Sequence, residues 1–172
     1  MKKYEFTGEI KVLFGITLHQ IRATVAFGNI KEGDVGGWIE KEENLAVDGD
    51  AWVYGDAKVW GYAKVWGDAL VYGNAKVYGN AEVWGDAKVW GDAKVYGNAH
   101  YLVVGPLGSR GGFTTFFRTK NLEIFVTCGC FRGNIEAFAE KVKKTHGDNE
   151  HARKYLASIE FAKTCIDLTP ES

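Results

Sequence analysis

From Ala51 to Asn98 apolar residues return at fixed positions of a six-residue unit with no interruption. The units read AWVYGD, AKVWGY, AKVWGD, ALVYGN, AKVYGN, AEVWGD, AKVWGD and AKVYGN, eight in all, and LAVDGD at 45–50 is a degenerate ninth. Ala and Val alternate with outward-type residues, so in an extended segment both point to one side, which is the core. Gly followed by Asp or Asn ends each unit because these residues tolerate the turn conformations of a corner. Self-similarity this strict predicts a stacked solenoid, and the small Ala and branched Val suit a narrow interior.

The unit resembles the hexapeptide pattern of left-handed β-helices, an aliphatic residue such as Val53 with a small one four positions later, Ala57. That resemblance implies the left hand, since ordinary parallel crossovers are right-handed, and three units per triangular coil. Residues eighteen apart would then stack at roughly 4.8 Å. The residue after each Val becomes part of an aromatic ladder: Tyr54, Tyr72 and Trp90; Trp60, Tyr78 and Tyr96; Trp66 and Trp84. Such ladders stabilise a solenoid by ring stacking, or bury a stripe against a neighbouring subunit, for which a homotrimer is the expectation. Of the three faces, Trp52, Leu70 and Lys88 form the least polar and the best interface candidate. The Lys58, Lys76 and Lys94 column reads as a solvated face or an anion track, and also discourages edge aggregation. The third face carries Lys64, Glu82 and His100.

Residues 4–27 alternate like two strands around a turn near Phe14 and Gly15, a lid for the first coil. His19 and Arg22 lie on it, pointing outward to solvent or to a neighbour. The motifs YEFTGE (Tyr4 to Glu9), LHQIRA (Leu18 to Ala23) and KEGDVGGWIEKEENL (Lys31 to Leu45), followed by GDAxVxG repeats, resemble a family of phage and prophage hexapeptide-repeat proteins. Its members are often labelled putative transferases or polymer-forming proteins; the resemblance implies a fold and a genomic setting rather than an activity.

After Asn98 the hexapeptides stop. Tyr101 to Val104 read as a strand leaving the repeat, residues 105–112 as a glycine-rich loop, and FTTFFRT with EIFVTCGCF as a β-hairpin around Lys120 and Asn121. Two helices follow. Asn134 caps the first, with Ile135, Phe138, Ala139 and Val142 inward and Gly147 ending it; Asp148 or Asn149 starts the second, with Ala152, Tyr155, Leu156, Ile159 and Ala162 inward. The predicted fold is therefore mainly β: a left-handed parallel β-helix (45–98), an N-terminal β cap (1–44) and a C-terminal hairpin plus two-helix module (99–172).

Composition narrows function more than fold. At 172 residues, 21 basic and 22 acidic, no global field draws the molecule to nucleic acid or an anionic membrane, and duplex nucleic acid, which needs several phosphate contacts, is disfavoured. No segment approaches the roughly 20 apolar residues of a membrane span and no signal-peptide stretch is present, so a cytoplasmic protein is expected, in the host cell if phage-encoded. Cys128, Cys130 and Cys165 are odd in number and lack CxxC spacing, which points to reduced thiols, with neither metal nor cofactor expected.

The informative asymmetry lies between 105 and 134, where Arg110, Arg118, Lys120 and Arg132 face a single acid, Glu123. Arg110, Arg118 and Lys120 with the hydroxyls of Ser109, Thr114 and Thr115 and the ring of Phe116 fit a pocket for a small anionic, nucleotide-like ligand. The glycine spacing is neither a Walker motif nor a dinucleotide fingerprint, and the same residues also read as turns, core and surface charges. The favoured function is an oligomeric, non-catalytic binding protein that sequesters such a ligand in the manner of phage anti-defence proteins. Alternatives are a structural or host-protein-binding inhibitor, and a hexapeptide-repeat acyltransferase with His100 as general base, which the absence of a projecting loop from the repeats argues against.

Overall fold

The computed structural model describes residues 2–171, and the chain divides into two compact units, residues 1–98 and 99–172. The first is a parallel β-solenoid of about three turns. It begins with β1 (Tyr4–Leu13), β2 (Ile16–Ala23) and β3 (Val35–Ile39), and continues with eight two-residue strands: β4 (Trp52–Val53), β5 (Lys58–Val59), β6 (Lys64–Val65), β7 (Leu70–Val71), β8 (Lys76–Val77), β9 (Glu82–Val83), β10 (Lys88–Val89) and β11 (Lys94–Val95). Strands eighteen residues apart pair in parallel, as Lys58 with Lys76 and Lys64 with Glu82. Every repeat Val is fully buried and every repeat Ala at most 1% exposed. The corner glycines from Gly55 to Gly91 sit at φ between 56° and 72°, the left-handed region that would strain a side chain.

The aromatic ladders form as the spacing predicts. Trp60 lies 4.5 Å from Tyr78 with the rings 2° from parallel, Trp66 lies 5.2 Å from Trp84, and Tyr72 lies 6.5 Å from Trp90. Tyr54 meets Tyr72 edge-on instead.

Two expectations for the repeat are corrected. The LAVDGD segment is not in register as a ninth unit: Leu45 bridges Val65, twenty residues on, and is buried, whereas Val47, inward by the hexapeptide pattern, is 45% exposed. Trp38 likewise pairs with Lys58, so the leading coil is longer than the others. The face of Trp52, Leu70 and Lys88 does not present Trp52 as an interface residue. Trp52 is fully buried beneath its own N-terminal segment, against Phe27 at 5.4 Å and Tyr4 at 6.3 Å, and its ring lies so close over Gly36 that a Cβ there would sit 2.7 Å from it.

The N-terminal cap is built into the solenoid wall. β1 and β2 form an antiparallel hairpin, β2 pairs with β3, and β3 pairs in parallel with β5, giving one sheet of order β1-β2-β3-β5-β8-β11. Leu18 packs beneath Trp38 and Trp60. Arg22 pairs with Glu5 and the His19 ring stacks on Phe6 at 4.8 Å, so both outward residues find partners within the hairpin. Lys3 closes the leading coil: its Nζ donates to the carbonyls of Gly49 (3.0 Å) and Ala51 (2.9 Å), and burial lowers its pKa to about 8.

The second unit is a four-stranded antiparallel sheet rather than a single hairpin: β12 (Tyr101–Leu107), β13 (Gly112–Arg118), β14 (Ile124–Cys128) and β15 (Phe131–Asn134). Half of the expected glycine-rich loop is therefore strand, leaving a short turn at 108–111. Cys128 pairs with Phe131, so EIFVTCGCF folds as two strands around Gly129 and Cys130. α1 (Ile135–His146) and α2 (Glu150–Cys165) start where their caps place them, with Asn134 Oδ1 accepting from Ala137 N–H and Asn149 Oδ1 from Ala152 N–H. Ile135, Phe138, Val142, Ala152, Ile159 and Ala162 pack on Phe116 and Val126. No helix among the described residues is long and apolar enough to cross a membrane.

Candidate functional site

The residues expected to form an anion pocket are spread over the second unit. Ser109 and Arg110 are exposed in the turn between β12 and β13, and Lys120 is exposed at the other end of β13. Phe116 is fully buried in the helix-covered core beside Phe138, which withdraws its ring from any ligand. Thr115, one residue away on the alternate side of the strand, is buried too. Thr114 donates its hydroxyl to Cys128 Sγ at 3.2 Å. The turn does carry a small cluster of chemistry. The Tyr155 hydroxyl lies directly beneath Gly108, 2.2 Å from where a Cβ would be, and its pKa is pushed up to about 12, first by burial and then by Cys128, with Arg110 opposing.

Arg118 is an interior residue. It is 1% exposed, its Nη1 lies 3.3 Å from His100 Nε2, and the same nitrogen donates to the Asp167 carbonyl at 3.2 Å. His100 is itself 4% exposed and sits in a 3₁₀ turn, Asn98–His100, where the repeat strands have ended. Burial first, and the Arg118 charge second, hold its pKa below the ordinary imidazole value. An imidazole so enclosed and bonded has no open side from which to take a proton from a substrate. Among the described residues no group of three or more His, Cys, Asp and Glu is placed to hold a metal ion.

A groove lies on the solenoid, at the corner before β6. Seven of the eight repeat units end in Asp or Asn; the second ends in Tyr62. That substitution was a visible signal, and its consequence is a tyrosine 76% exposed. The backbone beneath it is pinned from two sides. Glu40 Oε2 accepts from Gly61 N–H at 2.6 Å, and Asn44 Nδ2 donates to the carbonyls of Ala63 (2.8 Å) and Gly61 (3.2 Å). Tyr62 N–H donates to Gly79 O at 3.0 Å in the next coil. The ring is thus held out by a rigid corner, with Lys41 Nζ 5.1 Å from its centroid, a cation–π distance.

Around the ring runs a groove of about 460 Å³ walled by Lys41, Glu43, Lys64, Asn80 and Glu82. Two ammonium groups are matched by two carboxylates, so the groove has no strong field of either sign. It offers donors, acceptors and the amides of Asn44 and Asn80 around a flat apolar face. Glu43 and Asn44 belong to the 3₁₀ turn at Glu42–Asn44, brought here by the longer leading coil, which the repeat pattern does not foretell. No protein-family model matches the chain, and no curated protein is similar to it.

Proposed function

We propose that the protein is a non-catalytic binding protein and that the groove beside Tyr62 takes a saccharide. The carrying observation is the exposed Tyr62 ring, set on a hydrogen-bonded backbone at the one corner where the repeat departs from Asp or Asn. A sugar presents apolar C–H groups on one face and hydroxyls around its rim. The first suits an aromatic plate, and the second suit a ring of carboxylates, amides and ammonium groups that both give and accept hydrogen bonds. The balanced charge disfavours a ligand whose recognition depends on phosphate. The solenoid backbone beneath the ring is already ordered by its hydrogen bonds, which limits the entropy lost there on binding.

The test is an array of neutral, amino- and uronic-acid-bearing oligosaccharides probed with the full chain. A defined subset of glycans should be retained, and Tyr62→Ala should weaken that retention about fivefold, the loss of one ring contact worth ~1 kcal/mol. Trp84→Ala, which removes an exposed ring outside the groove, should bind as the parent does. Retention unchanged by Tyr62→Ala would defeat the proposal.

A second reading keeps a small anionic ligand, carried by the exposed Arg110 and Ser109 in the turn above Tyr155. Here Arg110→Ala should abolish retention of a nucleoside phosphate measured by calorimetry, while Lys120→Ala, at the far end of β13, should not change it. Equal binding by parent and Arg110→Ala would exclude this site.

A further inference from the structure

The exposed apolar side chains of the first unit concentrate on the β1–β2 hairpin. Ile10 is 57% exposed, Val12 68% and Phe14 85%, with Phe6 at 37%. Phe6, Ile10 and Val12 share one face: Phe6 stacks on His19, His19 is the cross-strand partner of Ile10, and Val12 follows two residues along the strand. Leu13 pairs with Ile16, so Phe14 and Gly15 form a two-residue turn, with φ of 53° and 80°. These are the positions of a type I′ turn, where Asn-Gly is the favoured pair. A phenylalanine at positive φ is strained and, at 85% exposure, recovers little by packing within its own chain. Burial against something else would offset that cost.

The edge beside this face is also defined. β1 is the outermost strand of its six-stranded sheet. Its pairing with β2 slips between Phe6 and Ile10, where three residues of β1 oppose the single Gln20. Such a bulge blunts an edge, and it leaves Ile10 to Leu13 as the regular stretch open to a partner strand.

We infer that a second copy of this chain docks here, the two β1 edges pairing antiparallel about a twofold axis through Val12. In that register Val12 meets Val12 of the second copy, Ile10 meets its Phe14, and Lys11 meets its Leu13. Centring on Lys11 would set two lysines opposite one another, which is unfavourable, and centring on Ile10 would run the bulge into the partner strand. Of these three registers, the one centred on Val12 places apolar side chains opposite one another along the exposed face. Ile10, Val12 and Phe14 of each copy carry the apolar part of this interface, which lies at the small end of specific associations. The interface is isologous and closes on itself. A lipid surface would meet the same side chains but could not satisfy the backbone groups of the edge.

Sedimentation velocity on the full chain tests this. The parent should sediment as a concentration-dependent dimer and Val12→Lys as a monomer. Phe14→Asn should weaken the dimer while raising the melting temperature of the monomer, because it relieves the turn; that rise shows that lost association is not lost folding. Val12→Cys under mild oxidation should give a cross-linked dimer in excess of the parent with its own three cysteines, and Leu13→Cys should not. A parent that stays monomeric up to its solubility limit would overturn the inference, as would a Val12→Lys variant that associates like the parent.

Discussion

Trp52→Ala is expected to destabilise the N-terminal unit by about 4 kcal/mol, the scale for removing a fully buried large aromatic side chain. Trp52 belongs to the repeat by sequence and to the cap by contact: it touches Tyr4 and Phe27 and lies over Gly36. Its loss would open a cavity between the leading coil and the segment that closes it. Trp84→Ala, at 52% exposure on a ladder of the same solenoid, should cost less than about 1 kcal/mol. Trp52 Nε1 has no hydrogen-bond partner among the described residues, and an orphaned donor is itself destabilising by about 1–3 kcal/mol. Trp52→Phe should therefore stay close to the parent despite the smaller ring. Urea titrations followed by near-ultraviolet dichroism would measure all three. Equal stability losses for Trp52→Ala and Trp84→Ala would show that the cap does not rest on Trp52.

The second unit should lose stability in acid through His100, and Arg118 should be central to its folding. His100 is buried with the Arg118 guanidinium at its Nε2, and its pKa is lowered by burial first and by that charge second, against the opposing carboxylates of Asp167 and Glu171. The folded state thus binds fewer protons than the unfolded state. Stability is fully present above the ordinary imidazole pKa of about 6.5 and declines as pH falls below it. Asp167, whose pKa is lowered chiefly by its hydrogen bonds from Thr169, adds a separate loss only at more acid pH, below the ordinary carboxylate value. Arg118→Ala should cost about 3 kcal/mol at neutral pH, since it strips a buried cation from the groups that enclose it. Arg118→Met should flatten the decline between about pH 6.5 and 5, because the charge opposing His100 protonation is gone. Far-ultraviolet dichroism at the helix band reports this unit, as α1 and α2 lie within it. A decline of the same size in Arg118→Met would show that burial alone sets the His100 response.

The proposed saccharide site was only half legible in the chain. Tyr62 announces itself as the exception in a run of Asp and Asn, and its exposure follows from its place after the corner glycine. Lys41, Glu43 and Asn44 could not be assigned to the same groove, because they precede the regular repeat and reach it through a coil whose spacing is twenty residues rather than eighteen. The basic cluster of the second unit failed as a pocket for a related reason. Alternation along β13 says that Phe116 and Arg118 share a side, but not which side the helices cover. Once α1 and α2 pack there, Phe116 becomes core and Arg118 is enclosed with His100 and the Asp167 carbonyl.

By itself the amino-acid sequence determined the solenoid, its inward Ala and Val columns, its aromatic ladders and the caps of both helices. These follow from short-range rules: strand alternation, the φ preference of glycine, and hydrogen bonds from Asn to nearby N–H groups. Only the tertiary structure decided that Trp52 is sealed by the N-terminal segment, that Leu45 replaces Val47 in the core, that Arg118 is interior, and that a groove forms beside Tyr62. Each depends on which distant segment covers which face, and that is set by packing between residues far apart in the chain, where no local period carries the information.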